Sequence, residues 1–309
     1  MTTRYAMKKA LLAKTEATYG VDGAPTGAAN AILAANVSFD PSLGEEVPRE
    51  IIQTYMGHQG VILTGDYAKI SYEVEMAGAG AAGTAPKYGP CLQGCGFAEV
   101  VTAGTDVQYT PVSGGFAGLT HYFNWDGVKH IMLGCRGTMK FDLSTKKSPR
   151  FMFEFTGLIG TYSDAALPAV TTTGFKKPVA ISKANTTLAL HGYSGGVEAF
   201  SADLGGKVEP RLLINKESIE ITGREATGEV QIEADTLANI DWFGIAKAHT
   251  EGALAFTHGL VAGNIVQIDC PAVQIGRPKY SESQNIVMQT LPLMIKPSAG
   301  NDEMKITVK

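Results

Sequence analysis

The chain has 309 residues, 26 Lys+Arg against 30 Asp+Glu and a formal net charge of −4, with charged residues at only 18%. A hydrophobic content of 44% excludes a disordered chain, and no apolar run reaches the ~20 residues that span a bilayer as a helix. Weak acidity without a basic cluster argues against a protein that grips nucleic-acid phosphates.

In chain order, MTTRYAMKKALLAKTEATYG is too interrupted for a secretion signal, and 4–15 reads as a short helix or an ordered arm. The segment 42–60 is long and polar and lies between two strand signals. Next, Ile70, Tyr72, Val74 and Met76 alternate with Ser71, Glu73 and Glu75, a period of two that puts one strand face on a core and the other in water. Gly78-Ala79-Gly80-Ala81-Ala82-Gly83 fits GxGxxG, but Pro86 follows and the preceding strand is amphipathic, so the run reads as a loop rather than a dinucleotide cradle. A glycine-shortened helix is expected at 88–96. It carries Cys91 and Cys95; with Cys135 and Cys270 these form no CxxC pair, so four buried free thiols are expected.

A hairpin follows near 117–133 around Asp126-Gly127, then a strand pair, 137–143 with 150–158, in which Phe151, Phe153 and Phe155 alternate with polar neighbours. Residues 162–174 are small, polar and aperiodic, as in a linker. Later, Val230 and Ile232 alternate with Thr227, Glu229, Gln231 and Glu233. A helix is expected over about 235–248 with Asp235 as its N-cap, then a hairpin near 252–268 and a strand pair, 271–276 with 285–293. None of the six histidines sits in a catalytic or metal motif. The acidic strand faces at Glu73 and Glu75 and at Glu229 and Glu233 allow an acid/base pair, a solvated sheet face or the lining of a pore.

The chain also resembles itself. Phe39-Asp40-Pro41-Ser42-Leu43-Gly44, with Val47-Pro48-Arg49, parallels Phe200-Ser201-Ala202-Asp203-Leu204-Gly205, with Val208-Glu209-Pro210-Arg211. Val61-Ile62-Leu63-Thr64-Gly65 parallels Ile219-Glu220-Ile221-Thr222-Gly223, and strand, helix, hairpin and strand pair follow in the same order. This predicts an N-terminal arm at 1–36, a β domain at 37–160, a linker at 161–185, a second β domain at 186–296 and a C-terminal arm at 297–309.

The runs GAPTGAANAILAANVSFDPSLGEEVPREIIQTYMGHQG, ISYEVEMAGAGAAGTAPKYGPCLQGCGFAEVV, LHGYSGGVEAF and IEITGREATGEVQIEADTL resemble the tail tube proteins of long, non-contractile-tailed bacteriophages, over nearly the whole chain. The resemblance implies a mainly β protein of tandem duplicated tail-tube sandwich or barrel domains, each with one flanking helix. It implies a structural virion protein, not an enzyme, with no cofactor and no metal. Three chains would make a pseudo-six-fold ring, and stacked rings a tube through which double-stranded DNA passes without sequence-specific contact. Its partners would be further copies of itself, the tape measure protein, the tail terminator and distal tail or baseplate proteins, with no membrane. The tube would be assembled in the bacterial host cytoplasm. The residues expected to face the lumen are Ser71, Glu73, Glu75, Glu229, Gln231 and Glu233; those expected between rings are Glu45, Glu46, Arg49 and Arg211, on the segments 42–60 and 203–218. The competing readings are a β-sandwich binding or adhesion module and the tube of a contractile tail or secretion machine.

Overall fold

The computed structural model describes residues 3–309; Met1 and Thr2 of the expected arm lie outside the described residues. Period-two alternation sets the architecture. In Val61–Glu75, Ile70, Tyr72 and Val74 are buried while Ser71, Glu73 and Glu75 turn to the opposite face. Phe151, Phe153 and Phe155, and Val230 and Ile232, are buried by the same logic.

These strands belong to a continuous antiparallel run of eight. Its order is Ala34–Pro48, Val61–Glu75, Arg150–Ile159, Val128–Ser144, Val197–Asp203, Thr227–Glu233, Ile286–Lys296 and Lys279–Ser283. A second layer covers the apolar face of this long sheet. In it Lys9–Thr15 pairs with Leu119–Trp125, which pairs with the start of Val128–Ser144. Thr186–Leu190 pairs likewise with Glu251–His258, and that strand with Val266–Ile275. Both layers close on one core that includes Leu11, Tyr72, Phe123, Phe155, Phe200 and Ile268. Val128–Ser144 serves both layers, and its register with Arg150–Ile159 shifts between Leu133 and Arg136, near the end of its pairing with Leu119–Trp125 at Cys135.

Two joints tie the halves together. Ala199–Asp203 pairs with Lys140–Ser144 in the long sheet, with Asp203 opposite Lys140. In the second layer, Lys305–Val308 is sandwiched between 266–269 and 107–109. The glycine run lies in a loop between the halves: Gly78 N–H donates to Asn264 Oδ1 at 2.8 Å, and a Cβ at Gly78 would lie 2.1 Å from the Gly263 carbonyl oxygen. Glycine is needed there for two backbones to touch, not for a phosphate.

Several expectations are corrected. Of the two readings of 4–15, a short helix or an ordered arm, the helix is wrong, because Leu11, Leu12 and Ala13 are buried in the strand Lys9–Thr15. The C-terminal 297–309 is no arm, since Ile306 and Val308 fill the core from Lys305–Val308. The helix of the second half is only Trp242–Lys247. Its N-cap is Asp241, which accepts the Gly244 N–H at 2.9 Å; Asp235 instead ends a turn with Thr236 and Asn239. A further single-turn helix, Gly27–Asn30, joins the expected one, Gly89–Gly94. The second strand pair is split: 272–275 pairs with 293–296, and 279–283 with 286–290, because Gly276-Arg277-Pro278 interrupts the strand. The segment 161–185 is mostly irregular, with Ser163–Asp164 pairing to 128–129. All four cysteines are free and buried.

The core also contains ionisable groups. His121 is fully buried with Nε2 3.0 Å from Tyr72 Oη, and burial drives its pKa down to about 3. Burial also lowers the pKa of His130 and His258. In the unfolded chain a histidine titrates near ~6.5. As pH falls below that value the unfolded state takes up a proton that native His121 refuses, so stability drops, with a slope approaching about 1.4 kcal/mol per pH unit for this residue. Urea unfolding at pH 7 and pH 5 should therefore show a lower midpoint at pH 5; an unchanged or higher midpoint would contradict a neutral buried His121.

Candidate functional site

Three surface features stand out: a polar sheet face, two unpaired strand edges and an apolar hairpin tip. The polar face is the side of the long sheet opposite the core. Cross-strand register places Ser71, Glu73 and Glu75 beside Glu154, Met152 and Arg150, and continues through Lys140 and Asp142 to Ser201 and Glu229. Ser71, Glu73, Glu75 and Glu229 thus lie on one sheet face across both halves, with Gln231 and Glu233 following Glu229 on their strand. The face carries the carboxylates of Asp142, Glu154, Asp203, Glu229 and Glu233 in addition to Glu73 and Glu75, against Lys69, Lys140 and Arg150. The carboxyl of Glu73 is held below its ordinary value by a hydrogen bond from Asn36 and by Arg150, whose Nη1 lies 2.9 Å away, although burial acts the other way. An ionised, cation-paired Glu73 is no general acid. Among the described residues no group of three or more His, Cys, Asp or Glu is arranged to hold a metal ion.

The edges lie at the two ends of the same sheet. Among the described residues Ala34–Pro48 pairs only with Val61–Glu75, and Lys279–Ser283 only with Ile286–Lys296, so each presents one row of unpaired backbone groups. Pro41 and Pro48 lie on the first of these edge strands, the position in a sheet where a missing N–H is tolerated.

The third feature is the hairpin joining Ala34–Pro48 to Val61–Glu75. Glu45, Glu46 and Arg49 are exposed on it. Its tip also exposes Ile51, Ile52, Tyr55 and Met56, with Ile52 and Met56 fully in solvent. Sequence reading took 42–60 as polar and missed these four; the signal was the apolar IIQTYM run in a segment without periodicity. In the second half the corresponding hairpin, Gly206–Leu213 with Lys216–Arg224, is not free. It lies over the first half, where Arg136 Nη1 donates to the Ile219 carbonyl at 2.8 Å and to the Glu220 carboxylate. Arg211 is exposed on this hairpin, opposite Ser218, and its tip exposes Leu213 and Ile214.

Open sheet edges, a projecting apolar tip and an extended polar face define a β structural subunit built to associate with others. Residues 8–294 match the family of phage tail tube proteins, and the chain belongs to that family. No curated protein matches it. It is a structural component of a phage tail, mainly β in fold.

Proposed function

We propose that three copies close into a ring of six tube domains, residues 37–160 and 186–296 of each chain, and that rings stack into the tube of a long, non-contractile tail. The observation that carries this reading is the joint inside the chain. Phe39 faces Ile70, which faces Phe155, which faces Gly137. In the second half Phe200 faces Val230, which faces Leu291; Thr290 faces Lys279, so Leu291 aligns with Pro278. By this correspondence the paired segments 199–203 and 140–144 map onto 38–42 and 281–285. Those lie on the two free edges, with 284–285 in the turn that ends the second. The antiparallel pairing that fuses the halves within one chain would then fuse neighbouring chains, leaving no edge in a barrel of eight strands from each of three subunits.

In such a ring the polar face turns inward. Ser71, Glu73, Glu75, Glu229, Gln231 and Glu233 line the bore, and their excess negative charge keeps double-stranded DNA from sticking as it passes. The hairpin around Glu45, Glu46 and Arg49 contacts the next ring, with Ile52 and Met56 supplying its apolar anchor. The tape measure protein, the tail terminator and distal tail or baseplate proteins are the partners at the bore and at the two ends.

Negative-stain electron microscopy of the concentrated protein tests this reading. Stacked rings of three-fold, pseudo-six-fold symmetry are expected, and single unstacked rings for Arg49→Glu. Rings with six whole chains would reject the paired-domain arrangement, and a protein that stays monomeric at every concentration would count against the tube.

A further inference from the structure

The hairpin of the second half rests in a seat built by the first half, and the second half presents an open groove with counterparts of two parts of that seat. In the occupied seat, Arg136 donates to the carbonyl of Ile219 while stacking on Tyr19, 4.6 Å from ring centroid to guanidinium, and Ile219 is wholly buried. Ile221 reaches Gly96, the left-handed residue that follows the helix Gly89–Gly94.

The strand correspondence that aligns Gly137 with Pro278 aligns Arg136 with Arg277. The helix Trp242–Lys247 is likewise followed by a left-handed residue, His249, in the place of Gly96. Arg277 and His249 line one open groove of about 700 Å³ with Phe243, Ile275, Pro278 and Met294. Arg277 is exposed and forms no ion pair among the described residues.

The missing occupant is equally visible. Hairpin register sets Pro48 opposite Val61 as Pro210 stands opposite Ile219, so Val61 and Leu63 are the counterparts of Ile219 and Ile221. Where Ile219 is buried, Val61 and Leu63 are exposed.

We propose that the groove beside Arg277 is the seat for the Val61–Leu63 segment of a second copy of this chain, with Arg277 donating to the Val61 carbonyl. This rests on the ring reading and adds to it a side-chain clamp at each boundary between chains. The chain cannot fill the groove itself, because the hairpin and the groove belong to opposite ends of the long sheet.

The test is a photo-crosslinking residue at position 63 in the assembled protein, with the linked peptides identified by mass spectrometry. Links between chains to 243–249 or 274–278 are expected; links elsewhere, or only within one chain, would overturn the proposal. Arg277→Glu should raise the concentration needed for ring formation by about tenfold or more, the scale of a lost charge-assisted hydrogen bond, while leaving the monomer's melting unchanged because Arg277 is exposed. Unchanged ring formation would overturn the clamp while leaving the ring reading standing; the absence of rings from the unmodified protein would reject that reading instead.

Discussion

Oxidation of the double variant Asp40→Cys, Ser283→Cys should convert the protein into covalent trimers and carry it no further. Asp40 and Ser283 are the counterparts of Ser201 and Asp142, which stand directly opposite each other in the joint within the chain. Opposed residues in an antiparallel pair have Cα atoms about 4.5–5.5 Å apart, inside the range a disulfide spans. Within one chain the two positions are at opposite ends of the long sheet, seven strand spacings or roughly 30 Å apart, so the bond must form between chains. The native cysteines are all buried and do not compete while the protein is folded. Each single variant should give no closed product. A non-reducing gel followed by intact mass measurement reads the result. A ladder ending at three chains fits a ring of three, one ending at six fits a ring of six chains, and an absence of cross-linked species in assembled protein would reject edge pairing in this register.

The two joints predict an order of strength. The intrachain joint has Asp203 opposite Lys140, a favourable cross-strand pair, where the boundary between chains would have Ser42 opposite Ser281. The intrachain joint is also reinforced by Lys305–Val308, which reaches 107–109 in the first half. That strand pairing uses the hairpin of Phe97–Thr102 and Asp106–Pro111, which has no equivalent between Trp242–Lys247 and Glu251–His258 in the second half. In the proposed ring the joint within the chain is therefore expected to be the stronger of the two boundaries.

Much of this was legible in the sequence because sheet faces write themselves as alternation. Ile70 to Met76, Phe151 to Phe155 and Thr227 to Glu233 were assigned to the correct faces, and Asp126-Gly127 closes its hairpin with both residues at positive φ. What was not legible depends on distant partners. Lys9–Thr15 has three consecutive buried residues, a pattern that carries no period, and its strand partner is more than a hundred residues away. Lys305–Val308 is four residues long and is a strand only because two edges await it. Asp235, the expected cap, instead closes a turn with Thr236 and Asn239, and Asp241 caps the helix. The apolar tip at Ile51 to Met56 was hidden by the charges around it, and the break at Gly276-Arg277-Pro278 by the apolar strand before it.

Phe200→Ala should show whether the halves stand or fall together. Phe200 is buried between Phe141 of the first half, 5.3 Å away in an edge-on contact, and Phe256 of the second, 5.9 Å away. Removing a buried phenylalanine ring costs about 3–5 kcal/mol through lost transfer energy and the cavity left behind. Because this ring sits where Ala199–Asp203 joins Lys140–Ser144, the loss falls on the seam of a core shared by both halves. The whole chain should therefore melt earlier in one transition, followed equally by tryptophan fluorescence and by circular dichroism; two resolved transitions would show that the seam is dispensable to each half. Phe39, the counterpart of Phe200, lies on the open edge strand, half-buried against Phe123 and His130 at 5.0 Å each. Phe39→Ala should accordingly cost the monomer less than Phe200→Ala, since the edge that would complete its burial belongs to another chain.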